Sequence, residues 1–500
     1  MTASDAKTVD LTRYVSNLDQ NVYTIFNLPE EVIAVIFAYV SRSPASFRDN
    51  LKQLLQDDEL AVSDSAGGMA THYSEKAARF HEKWVVGYGH SSVAEHAVAH
   101  LGIERISRLA SAELELANTF NSFTEYSQRY QRPERGDFYI PQELEEHPEW
   151  KESFVQFQHR AYDVYERLLD GLILYLMKKL PRQEGESDKR FRLRTEKVAF
   201  EDARYVLTLA TLTNLGLTGN GRALRDTLVR LLSSPHQESQ QLARDMEREI
   251  SQVIPTLLKH VKPNDYLLET REALRKWNNR NEAADSFKGE AFDGPRARFT
   301  RIPDYGEALE ILCTELLVSE NGLPYEAAKQ TVQSWTQEEK EERLDASLRH
   351  LRFFDNPLDV FRHLFYHMEM HISEANWHQL LRHNRGTHFS YGQPTVDLGY
   401  TIPPHVREAG LAEPFGELIR EADRLYEQLT EVCPAAAPYV VTNAHHRQVT
   451  ATANLWEMYH LINLRTSPEA QWDIRQTFEQ LHETLKEEHP VLVRYAQRRR

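Results

Sequence analysis

Three features recur in the same order in the two halves of this chain. The first half contains ERISRLASAELEL, then FYIP at Phe138–Pro141, then DARYVLTLATLTNLGLTGNGRAL. The second contains MHISEANWHQLLRHN, then YTIP at Tyr400–Pro403, then PYVVTNAHHRQVTATANLWEMYHLINLR. The pairs Ile106/Ile372, Ile140/Ile402 and Asn220/Asn454 are offset by similar amounts. One match is within the reach of chance; three in one order make duplication the better reading. A length of 500 residues accommodates it, because a single domain rarely needs so many.

Most of the chain reads as helix. Apolar residues fall at helical spacing over Glu30–Tyr39, Val155–Leu176, Ala203–Leu232 and Trp472–Leu485. Two stretches alternate instead. In His367–Ile372 the His and Glu residues take one face and Met368, Met370 and Ile372 the other; Ala97–Ile103 is a weaker case. Both predict short strands leading into helices. The polar segment NEAADSFKGEAFDGPRA interrupts the periodicity near the middle. The expected division is a first domain over 1–283, a linker over 284–297 and a second domain over 298–500.

Composition narrows the function classes. A formal charge of −16 argues against general nucleic-acid or anionic-membrane binding, so an anionic ligand would need a local cluster of arginines. No apolar run reaches the ~20 residues that span a bilayer, and Met1–Asp10 has no apolar signal core. Cys313 and Cys433 are the only cysteines and lie in unrelated contexts. That excludes a disulfide framework or a cysteine-based zinc site and suits a cytoplasmic protein. No phosphate-binding loop, dinucleotide fingerprint, zinc-protease or serine-hydrolase motif is present.

The segment NSFTEYSQRY, Asn121–Tyr130, resembles the signature of the flavin-dependent thymidylate synthases, RHRxxSxNExSxRY. Ser122, Glu125, Ser127, Arg129 and Tyr130 fall in register, and Thr124 replaces its Asn. GHSSVAEH, Gly89–His96, resembles the family's G-H-x-S/T-x-x-E-H element. Arg204, Asn220 and Arg222 occupy the places of a nucleotide-binding Arg and an Asn-x-Arg pair. The first half lacks the RHR triplet around Ala117–Thr119, and Leu231 stands where a late Arg is expected. In the second half HQLLRHN, His378–Asn384, resembles H-Q-L-x-R-H-R with Asn384 for the last Arg. NLWEMYHLINLR matches the late helix at Asn454 and Arg465 but not at Trp456 or His460. That half has Ser390, Gly392 and Pro394 in place of ExSxR, and Pro438 where the first has Arg204.

The resemblance implies an α/β, helix-rich chain: two tandem copies of the family fold, each a small, largely antiparallel sheet wrapped by long helices. In the family a uridylate site is shared by two subunits, and each half here keeps one complementary set. Glu125, Ser127, Arg129 and Arg204 come from the first half; Gln379, Arg382 and Arg465 come from the second. The expectation is one surviving dUMP site, with Arg465 as the catalytic group that stabilises charge at N3. Flavin contacts are assigned by resemblance to His90, Ser92, Glu95, Asn220, Arg222, Arg382 and His383. FAD is the implied cofactor, with NADPH and methylenetetrahydrofolate as co-substrates and a homodimer forming a pseudo-tetramer. The mirror site, near Ala117, Leu231, Ser390, Gly392 and Pro438, is expected to be closed or apolar.

Taken singly, these residues have plainer readings. Arg129 with Glu125 suits an i,i+4 helix pair, and His90 and His96 suit turn and core positions. His363, His367 and His371 recur every four residues, but on a strand His367 and His371 lie ~13 Å apart, too far to share one ion. No metal site is expected. Two other functions compete with reductive methylation at C5 of dUMP. One is a pseudoenzyme that binds nucleotide or flavin without turnover; the other is a different flavin-dependent reaction on another phosphorylated substrate.

Overall fold

The computed structural model describes residues 10–40, 45–56, 91–256, 258, 261–275 and 287–499. They fall into two compact units built from interleaved segments. The smaller unit takes residues 1–106, 113–126 and 213–278; the larger takes 107–112, 127–212 and 279–500.

In the smaller unit three strands, β1 (Val98–Ser107), β2 (Ser122–Glu125) and β3 (Leu212–Asn220), form a sheet in the order β1-β3-β2. β2 runs antiparallel to β3, with Ser122 opposite Thr218 and Glu125 opposite Leu215. Asn220 ends β3, and its side chain accepts the Ala223 N–H at 2.9 Å, capping the helix Gly221–Leu232. That helix buries Leu224, Leu228 and Leu231, a stripe at i, i+4 and i+7.

The reading of Ala203–Leu232 as one helix is wrong. The helix Asp188–Ala203 stops, a tight turn covers Arg204–Val206, and β3 precedes the next helix. Leu215 and Leu217 face inward at a period of two. Thr211, Thr213, Thr218, Gly216 and Gly219 weaken any helix across the same residues.

In the larger unit β5 (Arg296–Arg301), β6 (Phe365–Ser373), β7 (Thr387–Tyr391) and β9 (His446–Asn454) form an antiparallel sheet in the order β5-β6-β9-β7. β4 (Ala291–Phe292) pairs parallel with β8 (Tyr400–Thr401). The segment read as a linker therefore carries β4 and the start of β5, while its residues 284–286 lie outside the described residues. Along β6, Tyr366, Met368, Met370 and Ile372 are buried and His367 and Glu369 are less so, the alternation that the sequence predicts. Asn454 ends β9 and accepts the Glu457 N–H at 2.9 Å, repeating the Asn220 cap. Ser107 and Ser373, at the ends of β1 and β6, accept the N–H groups of Ala110 and Asn376 at 3.0 and 3.1 Å.

The core of this unit lies between two long helices, one from each half of the sequence. Pro148–Lys179 buries Tyr165, Leu168, Leu169, Leu172 and Leu176, and Ala412–Val432 buries Phe415, Leu418, Ile419, Ala422 and Leu429. Each such side chain contributes about 1.5–3 kcal/mol when removed from water.

Beside them the halves meet through reciprocal backbone bonds. The Leu209 N–H donates to the Val441 carbonyl, and the Asn443 N–H to the Leu207 carbonyl, at 2.9 and 2.8 Å. Ala210 donates to Tyr439 and Ala444 to Tyr205, at 3.2 and 2.9 Å. Each bond is the image of its partner under one exchange of the halves, which is the pattern of a two-fold contact within a single chain.

Candidate functional site

The turn that follows the helix Asp188–Ala203 places Arg204 beside this pseudo-two-fold contact. Arg204 is buried at 5% exposure; its Nε donates to the Glu201 carbonyl at 3.4 Å, and its Nη2 has no hydrogen-bond partner in the protein. Burial pushes its pKa down to about 10; Arg129 and Arg108 add to the shift, and Tyr205 and Glu201 oppose it. The guanidinium is still charged at neutral pH.

Arg129 approaches from the loop after β2. Its Nε donates to Glu201 Oε1 at 2.8 Å and its Nη2 to the Glu469 carbonyl at 3.0 Å, with the side chains of Arg129 and Glu201 15% exposed. Its ion-pair partner is thus Glu201, since Glu125 belongs to a strand rather than to the same helix. Ser127 begins the turn, accepting the Arg129 N–H on its hydroxyl at 3.3 Å.

The second half supplies the helix Glu374–Leu380 and the short turn Leu381–His383 that follows it. Gln379 donates through Nε2 to the Ala375 carbonyl at 3.0 Å and to Gln471 Oε1 at 3.3 Å, and its Oε1 is buried without a partner. Arg465, the last residue of the helix Leu455–Arg465, donates from Nη2 to the Gln379 carbonyl at 2.8 Å and from Nε to His383 Nε2 at 2.9 Å. Burial first, and then the charges of Arg382 and Arg129, lower the Arg465 pKa to about 10. Arg382 is exposed.

Ser127, Arg129, Arg204, Gln379, Arg382 and Arg465 thus belong to one compact unit, and the mutual repulsion of the arginines reflects their closeness. Glu125 is buried at the end of β2 and belongs to the smaller unit.

Other residues complete this region, and of these His378 opens the HQLLRHN motif. His378 is buried, and its pKa lies well below the usual histidine range, first through burial and then through Arg108, Arg447, Arg382 and Arg204. Arg447 pairs with Glu374 at 2.9 Å, both buried. Asn443 donates from Nδ2 to the Arg204 carbonyl at 2.9 Å and to Gln128 Oε1 at 3.3 Å. Only the tertiary structure brings Arg108, Gln128, Asn443 and Arg447 to this place. Neither thiol is activated as a nucleophile: burial pushes Cys313 up to about 12 and raises Cys433.

The residues that resemblance assigns to flavin split by location. His90 lies outside the described residues. In the smaller unit Ser92 and Glu95 are exposed, and Arg222 at the start of the helix Gly221–Leu232 pairs with Glu95 at 2.6 Å, both about half exposed. The N-terminus of the helix Gly221–Leu232, with Arg222 in its first turn, suits an anion such as a pyrophosphate. The Asn220 oxygen is taken by its cap. The equivalent place in the second half does not fit. Trp456 stands there with Arg362 stacked on it at 4.0 Å, and Glu457 follows.

His383, Glu457 and His460 place potential metal-ligand atoms within 4.8 Å of one another, a cluster that the sequence reading missed. Because His383 Nε2 accepts from Arg465, its neutral ring carries the proton on Nδ1 and has no lone pair left for an ion. Glu457 is pushed up to about 7, chiefly by burial. Of the histidines spaced by four, His363 ends a short turn, and His367 and His371 sit on β6 opposite Arg301 and Arg296.

Among the described residues no helix is long and apolar enough to cross a membrane. A protein from Chlamydia muridarum described as "UPF0159 protein" is 26% identical over 96% of this chain and 92% of its own length. A flavin-dependent thymidylate synthase from Saccharolobus solfataricus is 30% identical over 45% of this chain and 78% of its own length. A solved UMP/dUMP methylase, PolB from Streptomyces cacaoi, aligns at 14% identity with a TM-score of 0.34, over 41% of this chain and 96% of its own. The profile of the family described as "Thymidylate synthase complementing protein" matches twice, at residues 24–256 and 316–491. Matched over most of its length and in two regions, the chain belongs to this family, the flavin-dependent thymidylate synthases, as a diverged two-copy member.

Proposed function

We propose that this chain catalyses flavin-dependent methylation at C5 of dUMP, at one site in its larger unit. The observation that carries this reading is Arg204. A buried guanidinium with an unpartnered Nη2, set among other arginines, is costly unless an anion completes it. A nucleotide phosphate is such an anion. Arg129, Arg204 and Arg382 would bind it with forked, permanently charged donors, and Ser127 would add a hydroxyl.

Gln379 and Arg465 would face the pyrimidine. Arg465 would stabilise negative charge at N3 as C5 becomes nucleophilic, worth ~3 kcal/mol by analogy with a single oxyanion donor. That activates the base without a cysteine, consistent with two buried thiols of raised pKa. A bound FAD would supply the hydride that completes the methyl group, with methylenetetrahydrofolate as carbon donor and NADPH as reductant. Ser92, Glu95 and Arg222 are the residues of this chain suited to hold it. We further propose a cytoplasmic homodimer, since a two-copy chain needs only one further association to match a tetramer of single copies; a monomer by light scattering at micromolar concentration would count against the dimer.

A second reading is supported by Trp456, with Arg362 stacked on it, and by His460, where the second half has lost the family's polar residues. On that reading the protein binds nucleotide without turnover. One experiment separates the two. Freshly purified protein is assayed for flavin, for bleaching by NADPH and for dUMP binding by calorimetry. Yellow protein that bleaches and forms dTMP from dUMP and methylenetetrahydrofolate supports the enzyme. Colourless protein that binds dUMP supports the second reading, and protein that does not bind dUMP sinks both.

A further inference from the structure

We propose that His383 is a positioning residue for Arg465: its imidazole Nε2 fixes the plane of the guanidinium and leaves Nη1 to a ligand. The proposal rests on the reading above, in which Arg465 meets the pyrimidine of a uridylate. Resemblance assigns His383 to flavin, whereas in the structure its one acceptor nitrogen is taken by Arg465.

Two bonds hold the guanidinium. Nε donates to His383 Nε2 at 2.9 Å, and Nη2 donates to the Gln379 carbonyl at 2.8 Å. Both acceptors belong to one stretch of chain, the helix Glu374–Leu380 and the turn Leu381–His383 that continues it. The carbonyl is available whatever residue stands at 379. The other acceptor exists only because a side chain with a lone pair stands at 383. Among the described residues Nη1 makes no hydrogen bond, and Arg465 is only partly buried.

The protonation of the ring follows from its partner. A guanidinium only donates, so His383 must be neutral with its proton on Nδ1. The other tautomer, or the imidazolium, would set one N–H against another. The Glu457 carboxyl oxygen lies 4.0 Å from Nδ1, which favours a proton there. His383 is 8% exposed, and the His460 ring packs edge-on against it with centroids 5.4 Å apart. The ring is thus confined, and so is the direction of its lone pair.

An arginine needs such a hold. Its side chain has about 2 kcal/mol of rotamer entropy to lose, and the charges of Arg382 and Arg129 repel it. With the Gln379 carbonyl alone, the group could swing about a single bond. With both acceptors its plane is set before a ligand arrives, and the ordering cost does not fall on binding.

The test is a double-mutant cycle on the full chain, read by calorimetry with dUMP. His383→Leu removes the acceptor. His383→Gln restores one, because its Oε1 reaches as far as the lost Nε2; His383→Asn ends where Nδ1 was. The Leu and Asn variants are expected to weaken dUMP binding about tenfold, and Gln to return it to within about threefold of wild type. In an Arg465→Ala background the Leu change should have no further effect. Wild-type affinity in the Leu variant overturns the proposal. So does equal weakening by Leu in the Arg465→Ala background, since His383 would then act without Arg465, and so does a Gln variant as weak as Leu. Unfolding curves without ligand identify a variant that does not fold, and Asn then stands in for Leu. Side-chain nitrogen NMR of the ligand-free protein should show His383 protonated at Nδ1 alone, its signal identified by its loss in the Gln variant; a proton on Nε2 overturns the contact. If the wild-type protein does not bind dUMP, the uridylate reading itself fails, and the tautomer then decides by itself whether His383 holds Arg465.

Discussion

Thr208 pairs antiparallel with Thr442, and the bonds flanking this bridge are exchanged one for one between the two halves. The same exchange relates Phe138, bridged to Thr211, and Tyr400, bridged to His445. A contact of this kind lies on a two-fold axis. Here the axis passes through a single chain whose halves have diverged around it: Arg204 follows one helix, and Pro438 stands at the equivalent place. The divergence leaves a guanidinium on one side of the axis and a proline on the other.

Single replacements of Arg129 and Arg382 by Ala are each expected to weaken dUMP binding by one charge-assisted hydrogen bond, roughly 1.5–3 kcal/mol. Calorimetry against dUMP measures this, with unfolding curves as control because Arg129 also pairs with Glu201. Full affinity in both variants would remove these arginines from the site.

Tyr205 sits between the halves as a structural clamp. Its hydroxyl donates to Asp473 Oδ2 at 2.8 Å and accepts from Gln471 Nε2 at 3.0 Å, all three residues being buried. Tyr205→Phe leaves both partners short of a bond, so a loss of about 1–3 kcal/mol is expected in urea unfolding. A change below ~0.5 kcal/mol, the range of ordinary surface substitutions, would mean that the clamp does not stabilise the fold.

Glu457 gives a pH dependence of defined sign. Its pKa in the folded protein is raised to about 7, mainly by burial, from an ordinary value of 4.5. Its contribution is therefore fully present below the unfolded pKa and is lost as pH rises through about 7, a loss of roughly 3 kcal/mol. Glu457→Gln does not titrate. Its stability relative to wild type should rise by that amount between pH 4.5 and pH 8, as read from denaturant midpoints at each pH. A constant difference would contradict the burial argument.

Gly399 adopts a φ of +74°, and a Cβ there would lie 2.6 Å from the Glu290 carbonyl oxygen and 2.6 Å from Phe292. The Gly399 carbonyl also accepts the His446 N–H at 2.9 Å, so the backbone has little room to move. Gly399→Ala is expected to cost at least ~1–2 kcal/mol from the backbone conformation alone. A thermal midpoint equal to wild type would show that the β4–β8 contact yields without cost.

Part of the architecture is legible in the residues. The repeated order of motifs corresponds to two matched regions and to equivalent caps at Asn220 and Asn454. The long helices follow from i, i+4 and i+7 apolar spacing, and β6 from its alternation. The segment 203–232 misled because Leu and Ala suit a helical template as well as an inward-facing strand. A short apolar run does not distinguish the two.

The candidate site was legible only in fragments. Arg129, Arg204, His378, Gln379 and Arg465 stand in motifs, while Gln128, Asn443 and Glu201 acquire their roles from neighbours hundreds of residues away or on another element. Local sequence determines periodicity, caps and motif order because those depend on residues within a turn or a strand of one another. Which amide of Gln128 is left unpaired, which carboxylate meets Arg129 and which nitrogen of His383 faces Arg465 depend on packing across the two halves. Such contacts leave no spacing in the chain, and only the tertiary structure decided them.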